Sequence, residues 1–356
     1  MEEAGRVSDE TYQERIVRAE PRHGDIVYSR EGTYFGIAAE LPPRVRVCLG
    51  QRMVLLRPNE NKANFRFLRY WLNSPVMARH IHGYRDGTVA ERLNMPTIRA
   101  LPVALPPLAE QRAIASVLGA LDDKIELNRR MNETLEAIAR ALFQSWFKDA
   151  TQAGLPEGWR GSTIGEEVRV VGGSTPSTSK PEFWEGGTIH WATPKDLSNL
   201  SSPVLLDTER RITDAGLQEI GSGLLPVGTV LLSSRAPIGY LVIAEVPVAV
   251  NQGFIAMVCD KSLPNYYVWL WVSHNMEAIK ARANGTTFME ISKSNFRPLS
   301  VVVPPPPVLD AFKKQVAPLY HRIVSNLREF RTLAALRDAL LPKLLSGEIR
   351  IKTKAI

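Results

Sequence analysis

Cysteine is scarce. Cys48 and Cys259 are the only two in 356 residues, too few for a disulfide framework or a four-cysteine zinc site. They are expected to be unpaired thiols in strands. No apolar run reaches the roughly 18–20 residues that a membrane span needs. The opening residues, Met1-Glu2-Glu3-Ala4-Gly5-Arg6, are acidic and polar, unlike a secretory signal. A soluble, cytoplasmic protein is the expectation.

Signatures of catalysis are also missing. There is no Asn/Asp-Pro-Pro-aromatic motif of the kind that holds an adenine amine for methyl transfer. The run Gly172 to Lys180 has the look of a phosphate-cradling loop. However, Ser179 stands where glycine should precede the lysine, and Pro181 blocks the helix that should follow. A flexible Ser/Thr-rich loop fits it better. His80 and His82 have no third metal ligand nearby and are read as solvated helix-end residues. Glu182, Glu185 and Asp196 do not form a recognisable nuclease set. The chain is therefore expected not to be an enzyme, with no catalytic residue, metal or cofactor of its own.

What the chain does have is a repeat. Trp71-Leu72 recurs 198 residues later as Trp269-Leu270, and Gly87-Thr88 recurs at the same interval as Gly285-Thr286. Arg99, Leu101 and Val103 match Arg297, Leu299 and Val301 without a gap. So do Pro106-Pro107 and Pro304-Pro305, Asn128 and Asn326, and Ala141-Leu142 and Ala339-Leu340. Nearer the amino end the match continues with small shifts: Gly24 to Arg30 parallels Gly228 to Arg235, Gln51 parallels Gln252, and Gly36 parallels Gly239. Leu155 to about Arg211 has no counterpart in the first copy, so the first unit is expected to lack an amino-terminal portion.

Each copy is a strand-rich unit followed by a long helix, with prolines at the joint, where a sheet ladder must stop and a helix can begin. Ile114, Leu118, Leu121, Ile125, Leu135 and Leu142 alternate at three and four residues, with Asn128 and Asn132 between them. Phe312, Val316, Leu319, Ile323, Asn326, Phe330, Leu333, Leu340 and Leu344 do the same. That is a coiled-coil seam. The nearest partner for each helix is the other one, antiparallel, with Asn128 and Asn326 expected close at mid-seam as a register pair. Pro318 is expected to kink or delay the second helix. The fold class is α+β, with two strand-rich domains separated by long paired helices. The expected boundaries are 1–106 (first domain, shortened), 107–150 (helix), 151–304 (second domain) and 305–356 (helix).

The formal net charge of +7 suits a polyanion. Base edges are read by Arg, Lys, Asn and Gln, usually from loops. Lys195 and Asp196 follow Trp191 and Pro194 in a tight turn, which serves either DNA or, through Asp196, a structural cap. Arg30 and Arg235 follow equivalent strands, with DNA contact or an internal salt bridge as their two readings. Lys293 and Asn295, and Arg92 and Asn94 in the first unit, lie in roughly matching places. The turns Asp86-Gly87-Thr88 and Asn284-Gly285-Thr286 offer threonines for capping or phosphate.

The segments Pro106 to Arg112, Leu121 to Asn128 and Ala141 to Phe147 resemble the central conserved region of Type I restriction–modification specificity subunits. Leu155-Pro156-Glu157-Gly158-Trp159 resembles the usual start of their second domain. Gly172 to Pro176, Trp184 to Gly187 and Trp191 to Leu197 follow as in the family, and Leu340 to Ile349 resembles the distal conserved region. The resemblance implies two target-recognition domains, each reading half of a bipartite double-stranded DNA site. It also implies methyltransferase subunits carrying S-adenosylmethionine and restriction subunits carrying ATP and Mg. The shortened first domain adds a homodimer as an expectation, and a scaffold that no longer reads DNA as the alternative.

Overall fold

The computed structural model describes residues 5–32, 35–83, 92–198, 200–285 and 289–351. Asp86-Gly87-Thr88 and Thr286 lie outside the described residues. The chain divides into two compact units, one of residues 1–127 and 329–356, the other of 128–328, so that both long helices contribute to both units.

The first unit begins with α1 (Asp9–Ile16) and an antiparallel sheet of β1 (Ile26–Ser29), β2 (Ala38–Glu40) and β3 (Met53–Leu56) in the order β2-β1-β3. Three short helices follow: α2 (Phe65–Leu72), α3 (Pro75–His82) and α4 (Met95–Arg99). Each starts where the sequence supplies a side-chain acceptor for an orphan amide: Asn64 accepts from Phe67, Ser74 from Met77 and Asn94 from Thr97. Ile26, Tyr28, Ala38, Leu72, Met77, Ile81, Leu93 and Ile98 form the core between sheet and helices.

The long helix α5 (Leu108–Phe143) starts directly after Pro106-Pro107. The wholly buried Gln111 fixes its entry. It accepts from the Asn64 amide at 2.9 Å and donates to the carbonyls of Lys62 and Pro106 at 3.0 and 2.8 Å. Within this unit the first part of α5 lies antiparallel to residues 329–346. Lys124 meets Glu329 at one end, while Ile114 and Leu118 share a cluster with Phe67, Tyr70 and Leu344 at the other. Asp122 takes hydrogen bonds from Arg69 Nη2 (2.6 Å), Tyr70 Oη (2.6 Å) and Arg337 Nη1 (2.9 Å), joining three segments at one carboxylate. Phe330, on the expected seam, is instead 39% exposed.

In the second unit β4 (Arg160–Thr163) leads through α6 (Ile164–Glu167) to β5 (Arg169–Val171). Next come β6 (Ile189–Ala192), α7 (Pro194–Ser198), β7 (Val204–Leu205), β8 (Arg210–Ile212) and α8 (Asp214–Gln218). The unit continues through β9 (Val230–Ser233), β10 (Leu241–Ala244), β11 (Val248–Val250), β12 (Phe254–Val258), α9 (Asn265–His274), α10 (Met276–Lys280), α11 (Lys293–Phe296), β13 (Ser300–Val303) and α12 (Pro306–Ser346). A five-stranded sheet has the order β5-β12-β9-β10-β7, a three-stranded one β11-β6-β8, and β13 pairs with β4. The sheet of the first unit repeats the β10-β9-β12 portion.

Apolar runs rather than alternation mark these strands: all of β9, β11 and β12 is buried, as expected where both faces are covered. Helix α9 is apolar on every side and buried from Tyr266 to Val272. It packs with Phe143, Phe147, Phe312 and Tyr320 in one core.

The 128–143 part of α5 lies antiparallel to the 306–328 part of α12, with Phe143 against Phe312 (centroids 6.3 Å) and Asn132 against Asn326. At the expected mid-seam place Asn326 Nδ2 donates to Asn132 Oδ1 at 2.8 Å, and Asn128, one turn from Asn132, is also buried. Pro318 neither delays nor interrupts α12, which is one assigned helix of 41 residues. Its missing N–H removes one i→i−4 bond, while Val316, Tyr320 and Ile323 on either side are fully buried in the core and hold the helix in place.

Candidate nucleic-acid interface

Both β5 and β9 run antiparallel to β12, so they end at the edge where β12 begins. The turn Asn251–Gly253 joins the end of β11 to that same start, and β6, parallel to β11 with Ala192 opposite Val250, ends there too. Four strand ends therefore deliver four loops to one edge of the unit: 172–180, 193–198, 234–240 and 251–253.

Close backbone packing ties these loops together. A Cβ at Gly173 would stand 1.6 Å from the Val250 carbonyl oxygen, so only glycine passes there, and one at Gly253 would stand 2.9 Å from Pro194. Thr175 Oγ1 donates to Gln252 Oε1 at 2.7 Å, and the Asn251 amide to Ala192 O at 3.0 Å. The Ser/Thr-rich loop is pinned from beneath, with Trp191 Nε1 donating to Ser174 O (3.2 Å) and Trp184 Nε1 to Ser177 O (3.0 Å). The Arg210 guanidinium lies 3.6 Å from the Trp184 ring centroid and 5.3 Å from that of Trp191, in cation–π contact.

Several expected residues meet at this edge. Arg235 follows β9 and forms an isolated antiparallel bridge with Glu290, its Nη1 standing 3.8 Å from Glu290 Oε2. Lys293, at the start of α11, reaches the Gly172 backbone: a Cβ there would meet its Nζ at 2.6 Å. Asn295 donates from Nδ2 to Arg282 O at 3.1 Å. Asp196 is committed to the fold: Oδ2 accepts from the Thr193 amide (2.7 Å) and hydroxyl (2.8 Å), and Oδ1 from the Glu209 amide (2.7 Å). Lys195 is 72% exposed and pairs with Glu209 at 2.8 Å, whose hydrogen bond raises the lysine pKa and keeps it charged.

The first unit builds the same edge in smaller form. Arg30 N donates to Arg52 O (2.9 Å) as Ser234 N does to Gly253 O (2.8 Å), and Leu93 N donates to Arg30 O (2.8 Å) as Ile291 N does to Ser234 O (3.0 Å). Hence Arg30 is the structural counterpart of Ser234, and the match of Arg30 with Arg235 is one residue out of register. The counterpart of Arg235 is Glu31, which bridges Arg92. Asn94 caps α4, accepting from the Thr97 amide and hydroxyl at 2.9 and 2.8 Å, the place Ser292 holds before α11.

Sequence reasoning gave no functional role to Gln51 and Gln252. Both are exposed, at equivalent turns entering β3 and β12, and glutamine is an adenine-edge reader. Their equal place in the repeat was the available signal. Arg210 had no local signal, since its aromatic partners are distant in sequence. Among the described residues no group of three His, Cys, Asp or Glu is placed to hold a metal ion, and no helix is long and apolar enough to cross a membrane.

A loop edge carrying Arg, Lys and Gln, built in both units, has the side-chain chemistry of a DNA-reading surface. The family model described as the Type I restriction modification DNA specificity domain matches residues 4–137 and 156–323, and the chain belongs to that family. Its members are the non-catalytic, DNA-recognising subunits of these systems.

Among its relatives is the Type I restriction enzyme MjaIX specificity subunit of Methanocaldococcus jannaschii, 26% identical over 80% of this chain and 69% of that protein. Another is the Type I restriction enzyme HindI specificity subunit of Haemophilus influenzae, 24% identical over 92% of this chain and 87% of that one. The solved structure of the Type-I restriction-modification system S subunit from M. genitalium shares the fold, with a TM-score of 0.60 at 16% identity over 94% of this chain and 84% of that one.

Proposed function

We propose that each unit reads one half of a bipartite double-stranded DNA site with its loop edge, and that the chain thereby directs methyltransferase and restriction subunits to that site. The observation that carries this reading is the edge itself, built twice on equivalent strands with the same backbone hydrogen bonds. In the second unit it presents Arg235, Lys195, Lys293 and Gln252; in the first it presents Arg30, Gln51, Arg52 and Arg92. Guanidinium and amide side chains pair with guanine and adenine edges, and lysines neutralise phosphates. S-adenosylmethionine and ATP with Mg belong on the partner subunits, and the cytoplasm, where the DNA is, is the site of action. A second copy of the chain is a further proposed partner, measurable as a dimer by light scattering.

The test is co-expression with the cognate methyltransferase subunit, followed by mapping of methylated adenines in the host genome. Two short specified elements separated by an unspecified spacer are expected. A single uninterrupted motif contradicts the two-edge reading.

A further inference from the structure

The bridge beside the loop edge is the same element in both units with its charges exchanged. In the second unit the residue two places after β9 is Arg235, and its partner, just before the buried Ile291, is Glu290. In the first unit the residue two places after β1 is Glu31, and its partner, just before the buried Leu93, is Arg92. Backbone hydrogen bonds fix each bridge, Ile291 N to Ser234 O and Leu93 N to Arg30 O. The fold therefore holds the position without help from the side chains.

The side chains of the second pair are loosely joined. Their closest approach is 3.8 Å, beyond hydrogen-bond range, and they are 40% and 46% exposed. Half-exposed pairs of this kind add little to stability, so folding gives no account of why both units keep one acid and one base here. Recognition does. A guanidinium donates to guanine O6 and N7, a carboxylate accepts from cytosine N4, and the two together match the two halves of one base pair. Exchanging them places donor and acceptor on opposite chain segments.

We infer that this bridge is a specificity-determining position in each unit, and that its exchanged charges make the two units prefer different base pairs at equivalent places in their half-sites. The inference rests on DNA recognition by the loop edge.

The test compares the full-length chain, assembled with its methyltransferase subunit, with the double variant R235E/E290R, which copies the order of the first unit. Selection from a pool of randomised duplex DNA reads the preferred sequence. The variant is expected to change the preferred base pair at one position of one half-site, altering discrimination there by roughly tenfold. The other half-site and the unfolding temperature stay unchanged. R235M/E290M, which removes both charges and every hydrogen-bonding group while keeping an unbranched side chain at each place, is expected to lose preference at that position without gaining another, and it serves if the exchange does not fold. Folded variants that select the wild-type motif with wild-type discrimination overturn the assignment alone. A wild-type complex that selects no motif overturns the reading of the edge, and this assignment with it.

Discussion

Asn326 Nδ2 donates a 2.8 Å hydrogen bond to Oδ1 of Asn132, and both side chains are buried in the second unit. A buried amide pair on an apolar seam favours the alignment in which the two meet. Replacing one partner leaves the other unpaired, so Asn326→Leu is expected to cost about 1–3 kcal/mol in chemical denaturation. Asn132→Leu combined with Asn326→Leu should recover much of that loss while broadening the distance distribution between spin labels at Ala137 and Ser325. A double variant as costly as the sum of the singles, with an unchanged distance distribution, contradicts the register role.

Glu167 sits at the start of the second unit with its side chain 4% exposed, its carboxylate bound by Arg160 at 2.6 and 2.8 Å. The Arg160 hydrogen bonds hold its pKa down to about 2, against the opposing effect of burial. The folded value lies below the unfolded one, so the pair's stabilisation is complete above the ordinary carboxylate value near 4.5 and is lost as pH falls from there through 2. Glu167→Gln is expected to cost about 1–3 kcal/mol at neutral pH. The gap from wild type should narrow as pH falls below about 4.5 and close near pH 2, measured by urea denaturation across pH. A gap independent of pH counts against the charged pair.

Gly173→Ala tests the packing of the loop edge. The added Cβ would fall 1.6 Å from the Val250 carbonyl oxygen, a backbone atom that cannot step aside. A loss of about 2 kcal/mol or more is expected, along with weakened DNA binding from displaced loops. Gly186→Ala, with nothing within 4 Å but a φ of +71°, should cost only about 1 kcal/mol. Equal effects of the two would show that strain, not loop packing, dominates.

Lys293→Ala should weaken binding to all duplexes to a similar extent and reduce the slope of log K against log salt by about 1, as expected for one lost phosphate contact. An unchanged slope would place Lys293 off the DNA.

The repeat, the proline joints and the long helices were legible because they rest on local signals: a fixed interval, a missing N–H and a three-four spacing. The sheet order was not, since β12 pairs with β5 and β9 through connections that leave no periodic trace. The register error at Arg30 came from loops of unequal length after equivalent strands, where matching arginines in sequence hid the backbone equivalence of Arg30 with Ser234. Asp196 was legible as a cap but not as a doubly committed one, because its third donor, the Glu209 amide, comes from the far side of a loop. Asn132, one turn from Asn128 on the same face, was visible as a seam residue. That Asn132 meets Asn326 depends on the axial offset of the helices, and no single sequence position encodes that.

The central claim is that the strand-end loops, not the helices, meet DNA. Hydrogen–deuterium exchange of the full-length chain, assembled with its methyltransferase subunit, with and without a duplex carrying its methylated motif tests this most directly. Protection is predicted in peptides covering 172–177, 193–196, 234–239 and 251–253, and in those covering 30–31 and 51–52. Protection confined to α5 and α12, with these loops exchanging as in the DNA-free complex, would contradict the account.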